Sequence, residues 1–275
     1  MPYILFVKIA LQFGIIVALL ACPPSGVQGQ QQSQCSSYAR CNELGTVALK
    51  HRRFDDAIEL FTQQAALAEL ADIDAQTKSR GAHLHSPCKL AVPAYNNLSL
   101  AYLKKRDYFR ARAWTHVALR CDKNNSAAQF NLRKIDQSLG QWQWPQTLAG
   151  KYVQYAGRGT WESIIVKPSS RGNIEFCFSG LWWGLGEGPS GIGDLRATIP
   201  IRENRAEYST HEFGENECRV SMQFSHDHLK IKQIGDAFDC GFGHNVTMNG
   251  KFERISSKEE CPPNDRNDLL SFASR

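Results

Sequence analysis

Nine cysteines, eight histidines and six tryptophans hold most of the chemistry open to this sequence. His83, His85 and Cys88, spaced His-x-His-x-x-Cys, could bring two imidazoles and a thiolate onto a zinc or copper ion. Only three ligands are visible there, and Cys88 is more simply used in a disulfide, so the segment reads as a solvated loop. His226 and His228, at an expected hairpin turn, read the same way, and no metal is assigned. Gly186, Gly188 and Gly191 spell G-x-G-x-x-G, but that fingerprint needs a helix N-terminus to hold a pyrophosphate. Pro189, Gly191 and Gly193 lead instead into a strand, so no cofactor is expected. Trp182 and Trp183 beside this loop are candidates for an aromatic wall at a barrel mouth, facing a small apolar or sugar ligand. The competing reading packs them at a strand end. No nucleophile elbow, paired-carboxylate context or zinc-protease helix motif is present, and a non-catalytic protein is expected.

The cysteines and the N-terminus point to an oxidising compartment. Ile9 to Ala21 is an apolar run broken only by Gln12 and preceded by Lys8. It suits a signal-peptide core, whereas a spanning helix needs about 20 apolar residues. Cleavage after residue 29, at Val27-Gln28-Gly29, is one reading. The other is cleavage after residue 21, because Leu19-Leu20-Ala21-Cys22 resembles a lipobox, the bacterial motif in which the cysteine is lipidated. Assigning Cys22 to lipid leaves an even set: Cys35, Cys41, Cys88 and Cys121, then Cys177, Cys218, Cys240 and Cys261. Bridges confined to each half leave about nine connectivities of 105. Residues 22–34, rich in Gln, Gly, Pro and Ser, read as a flexible tether.

Residues 35–140 have helical apolar spacing and an internal repeat. Leu44-Gly45, Phe54, Ala57 and Phe61 are echoed by Leu98-Ser99, Tyr102, Tyr108, Ala111, Ala118 and Leu119. Small residues at 45, 57, 99 and 111 let the helices of a hairpin approach closely. These positions resemble the tetratricopeptide repeat, with one repeat over 38–71, a second over 92–125 and a capping helix over 126–140. An insertion over 72–91 separates the two. The resemblance implies a peptide-binding groove lined by Asn42, Thr46 and Lys50 from the first repeat and by Asn96, Leu100 and Lys104 from the second. Asn side chains would pair with peptide backbone and lysines with a carboxylate.

After a linker at 141–146, period-two alternation takes over. Ile174, Phe176 and Phe178 alternate with polar residues, as do Val220, Met222 and Phe224, and then Val246, Met248 and Phe252. With strands also expected over 151–155, 161–167, 194–201, 205–210 and 229–234, some eight strands fit an antiparallel meander closed into a barrel over 147–256. A tail follows over 257–275. The fold class is therefore α+β in two domains. The strand layout resembles lipocalin-like or lysozyme-inhibitor-like barrels. Cys218 and Cys240 flank one hairpin, and Cys177 alternates outward, within reach of Cys261 in the tail.

The bulk composition bounds the rest. A formal charge of +5 is mild, and the helical half carries it, with 16 Lys and Arg against 10 Asp and Glu over 31–140. No basic arm interleaved with aromatics is present, so nucleic acid is not expected as a partner. The leading expectation is an exported envelope protein, lipid-anchored at the periplasmic face of the outer membrane or else soluble in the periplasm or secreted, that binds another envelope protein or a peptide. The alternatives are a lysozyme-type inhibitor or small-ligand binder acting through the barrel loops, and a metal carrier using the histidines.

Overall fold

Five helices precede eight strands in a computed structural model that describes residues 35–78, 88–140, 147–184, 188–258 and 260–261. The helices are α1 (Tyr38–Lys50), α2 (Phe54–Lys78), α3 (Val92–Lys105), α4 (Tyr108–Cys121) and α5 (Ser126–Leu139). Local chemistry starts three of them, where Ser37, Asp107 and Asn125 accept from the backbone N–H three residues on. α1 and α3 begin 54 residues apart, and so do α2 and α4. The turns between them match as well, since Arg52 and Arg106 both take the left-handed conformation.

The repeat extends to the packing. A Cβ on Gly45 would stand 2.5 Å from Cε1 of Phe61, so α1 and α2 touch there only because the side chain is missing. At the equivalent place in the second hairpin, Ser99 and Thr115 meet through a 2.6 Å hydroxyl contact, both fully buried. Ala57 and Ala111 are likewise fully buried. α2 continues to Lys78, into the segment expected to be an insertion.

The strands are β1 (Gly150–Gly157), β2 (Thr160–Pro168), β3 (Asn173–Trp183), β4 (Pro189–Arg202), β5 (Arg205–Thr210), β6 (Cys218–Phe224), β7 (His228–Ile234) and β8 (Gly250–Ser256). Each pairs antiparallel with the next, and β8 closes on β1 with Val153 opposite Glu253. The expected meander barrel is present, with β4 and β5 paired only at Ile201–Ala206 and Arg202–Arg205. Its interior is filled by Tyr152, Ile164, Phe176, Phe178, Met222, Leu229 and Phe252. Val246 and Met248 are buried as their alternation implies, but they lie in the loop after β7, not in a strand. That loop, with Cys240 and Phe242, packs into the same core.

All four bridges stay within their halves: Cys35–Cys41, Cys88–Cys121, Cys177–Cys261 and Cys218–Cys240. The described helices and the barrel share one compact unit. α4 packs on the outside of the barrel, where Ala113 meets Val153 and Ile255. Tyr155 and Trp161 enter the helical core. This explains why β1 and β8 carry buried residues on both faces. No helix among the described residues is long and apolar enough to cross a membrane.

Because Gly45 sits against the Phe61 ring, Gly45→Ala should lower unfolding stability by roughly 1–3 kcal/mol through overpacking, despite the better helix propensity of Ala. A urea titration of both proteins measures this, and equal midpoints would show that the ring moves aside without cost.

Candidate functional site

α3 and α5 leave a groove of about 790 Å³ between them. Leu100 and Lys104 line it, together with Arg106 and Tyr108 from the next turn and Phe130 and Lys134 from α5. Phe130 is 53% exposed, unusual for a phenylalanine, and the Lys134 ammonium stands 5.8 Å from its ring centre. No carboxylate is among the described residues that line it. The other four expected groove residues have different surroundings. The Asn96 amide donates to Asn125 Oδ1 at 2.9 Å, and its backbone carbonyl accepts from Asn131 at 3.3 Å, so Asn96 helps fix α5 to α3. Asn42 accepts from Asn97 at 2.9 Å, joining α1 to α3. Thr46 is half-buried on α1 and Lys50 is exposed at its end, and neither lines the groove.

A second concentration of functional groups lies where the helices meet the barrel. The Glu69 carboxylate, on α2, accepts from Tyr95 Oη at 2.6 Å, Tyr155 Oη at 2.5 Å and the Arg158 backbone N–H at 2.5 Å. It therefore joins α2 and α3 to the β1–β2 hairpin. Burial raises its pKa above the ordinary carboxylate value despite these donors. Burial, and after it the charge of Glu69, pushes Tyr95 and Tyr155 far above their usual values, so both phenols stay protonated as donors. The Tyr95, Trp114, Tyr155 and Trp161 rings pack together, with centroids 4.8 to 5.8 Å apart.

Beside this quartet a cleft of about 300 Å³ opens between α4 and the outer face of β1, β2 and β8. Val117, Leu119, Val153 and Trp161 supply apolar wall, and His116, Arg120 and Glu253 supply charge. Glu253 Oε1 accepts from His116 Nδ1 at 2.6 Å and from Lys251 at 2.8 Å. Burial alone would raise the Glu253 pKa, but these two partners outweigh it and hold the pKa below the usual range. Arg112 extends the network, 2.6 Å from Asp227 and 3.8 Å from the second oxygen of Glu253. His228 Nδ1 meets Asp227 at 2.6 Å. Burial would also raise Asp227, yet His228 and Arg112 bring it well below the carboxylate norm.

The two tryptophans of the barrel end face opposite ways, as neighbours in a strand must. Trp182 packs against the barrel core and lies edge-on to His244 of the β7–β8 loop, 5.5 Å between centroids. Trp183 is committed to the β1–β2 hairpin. Its indole donates to Thr160 at 2.8 Å and carries the Arg158 guanidinium over its face at 4.8 Å. Near Trp182's end of the barrel Glu162 is buried among apolar strands, with Gln154 donating to it at 3.4 Å. Burial pushes its pKa up to about 8.

Glu175, Cys177 and Cys261 are close enough to share a metal, but the two sulfurs form a disulfide and Glu175 pairs with Lys167 and Arg196. Of the considered metal ligands, His228 is engaged by Asp227, and His226 stands 3.9 Å from the same carboxylate. His83, His85 and Cys22 lie outside the described residues, as do Gly186 and the tether. The G-x-G-x-x-G stretch runs into β4 at Pro189, with no helix to meet a pyrophosphate.

Glu69, His116, Asp227 and Glu253 were missed from the sequence. The one available signal was an acid inside the apolar run Ala65–Ala71, where a solvated face would not be expected. A test follows from the neighbouring acid, Glu162. With a folded pKa of about 8 against 4.5 unfolded, the folded state keeps a proton that the unfolded chain has released. Stability from this group is full below the unfolded pKa and falls as pH rises toward 8, by up to roughly 1.4 kcal/mol per pH unit. Urea unfolding at about pH 5 and about pH 8 should show that slope in the wild type and its loss in Glu162→Gln. Identical slopes would mean the carboxyl is ionised in place. No family model, curated protein or solved structure matches the chain.

Proposed function

We propose that this chain is an exported, non-catalytic binding protein that takes an acidic, apolar peptide segment of a partner protein into the groove between α3 and α5. The observation that carries this reading is the lining. Leu100, Tyr108 and the exposed Phe130 offer apolar contact, Lys104, Arg106 and Lys134 offer positive charge, and no carboxylate is among the described lining residues. An extended segment with alternating apolar and acidic side chains complements both features, with the lysines acting at the rim. Paired helices repeating at 54 residues support the tetratricopeptide-like reading, and the first helix of each pair, with α5, would form the concave side. Four disulfides support an oxidising compartment. Lipid attachment through Cys22, and residence at the periplasmic face of an outer membrane, belong to the same proposal.

The barrel reading has one observation in its favour. Phe213 is 56% exposed and Phe238 60%, both in loops near the Cys218–Cys240 bridge, as an inhibitor contact would require. A ligand inside a lipocalin-like barrel gains no support from an interior filled by Phe176, Phe178, Phe242 and Met248.

Fluorescence anisotropy with a labelled decapeptide of alternating Glu and Leu, against its Lys and Leu counterpart, tests the groove. The acidic peptide should bind and the basic one should not. Lys104→Glu with Lys134→Glu should weaken binding about tenfold or more, and added salt should weaken it too. Equal binding of both peptides, or indifference to the double variant, overturns the groove. If the chain instead slows hen-type lysozyme, the barrel-loop reading takes its place.

A further inference from the structure

The cleft between α4 and the outside of the barrel has features the peptide groove does not use. The one carboxylate among its described lining residues, Glu253, is already met by His116, Lys251 and Arg112. Arg120, at the same wall, has no hydrogen bond or ion pair among the described residues, although it stands within Coulombic reach of Glu253. His116 uses Nδ1 on Glu253, which fixes the ring and leaves Nε2 without a partner among the described residues. The remaining wall is chiefly apolar, from Val117, Leu119, Val153 and Trp161. The site therefore offers one uncommitted positive charge, one oriented imidazole nitrogen and an apolar chamber.

We propose that this cleft binds a small ring-bearing carboxylate, with the Arg120 guanidinium holding the carboxylate, His116 Nε2 meeting a polar substituent, and the ring lying against Leu119 and Trp161. Three considerations select this class. Arg120's planar fork matches a carboxylate in a bidentate geometry. The single uncommitted cation suits a monoanion better than a doubly charged phosphate. A volume of about 300 Å³ sits at the small end of ligand sites. An apolar cavity of about 150 Å³ already holds benzene, so a substituted ring fits and a folded peptide does not. The location is also suitable, because the cleft lies between two regions that the Glu69 network holds in fixed register, so little ordering is left to the ligand.

Isothermal titration of the oxidised chain with 4-hydroxybenzoate, 4-hydroxybenzamide and glucuronate tests this. Hydroxybenzoate should bind, and the amide, which lacks the charge, should bind at least tenfold more weakly. Arg120→Gln should lose at least tenfold and Arg120→Lys less. Arg120 is exposed, so an unchanged unfolding midpoint in both variants shows that the fold is intact. Tighter binding of glucuronate than of hydroxybenzoate would overturn the apolar-ring assignment. Equal binding of acid and amide, an Arg120→Gln protein that binds as well as the wild type, or no binding by any probe would overturn the site itself. The groove variant Lys104→Glu with Lys134→Glu should leave these titrations unchanged, which separates failure here from failure of the peptide groove.

Discussion

One buried carboxylate holds the two regions of this chain together. Glu69 lies on a helix, yet one of its side-chain donors and its backbone donor come from the first hairpin of the barrel. Burying a carboxylate costs several kcal/mol unless its lone pairs are met, and here two phenols and an amide N–H meet them. The same contacts leave little freedom around them. Tyr155 also accepts from the Gly159 N–H at 2.8 Å, so the hairpin tip is fixed from both sides. A Cβ on Gly159 would come within 2.5 Å of Thr62, so the tip and α2 approach closely only because that residue is glycine. Its φ of +77° asks for glycine as well.

From that anchor the other features take their places. The aromatic quartet of Tyr95, Trp114, Tyr155 and Trp161 fills the space beside Glu69, and α4 lies along β8 and β1. Arg112 and His116, one turn apart on α4, then reach Asp227 and Glu253 on the barrel. Truncating one partner of such a part-buried pair is destabilising, because the other charge is left without its counter-ion. The cleft is what remains between these two points of attachment. The groove lies on another side of the helical layer, between α3 and α5, and depends on Asn96, Asn125 and Asn131 for its spacing. Asn125 is economical here, accepting both from Asn96 and from the first turn of α5. Rigid positioning of both concave surfaces thus follows from contacts that tie their walls together, some of them made by lining residues such as Asn131, His116 and Glu253.

Much of this arrangement could be read from residue patterns. Period-two alternation in 174–178 and 218–224 located two interior-facing strands, and turn residues separated the remaining strands well enough to count eight. The helical repeat was legible because the hairpin contact needs small residues, as Gly45 and Ser99 show. Val246 and Met248 showed the limit of such patterns. Their alternation reported burial correctly, but an irregular loop plugging a barrel buries alternate residues as a strand does. The helix–barrel interface was not legible at all. Glu253, in β8, and Asp227, in the β6–β7 turn, are isolated acids, and only the fold, which closes more than 100 residues of chain between them and Arg112 and His116, turns them into partners. The bond from the Asn96 amide to the cap of α5 was hidden for a related reason, since Asn125 lies 29 residues away in the chain.

The claim that helices and barrel form a single body held by Glu69 is tested most directly by differential scanning calorimetry of the oxidised chain and its Glu69→Ala variant. The wild type should unfold in one cooperative transition, with calorimetric and van't Hoff enthalpies in agreement. The variant, which leaves Tyr95, Tyr155 and the Arg158 amide without their common acceptor, should melt lower and divide into two transitions, one for each region. Two independent transitions in the wild type, or a variant that melts as the wild type does, would contradict it.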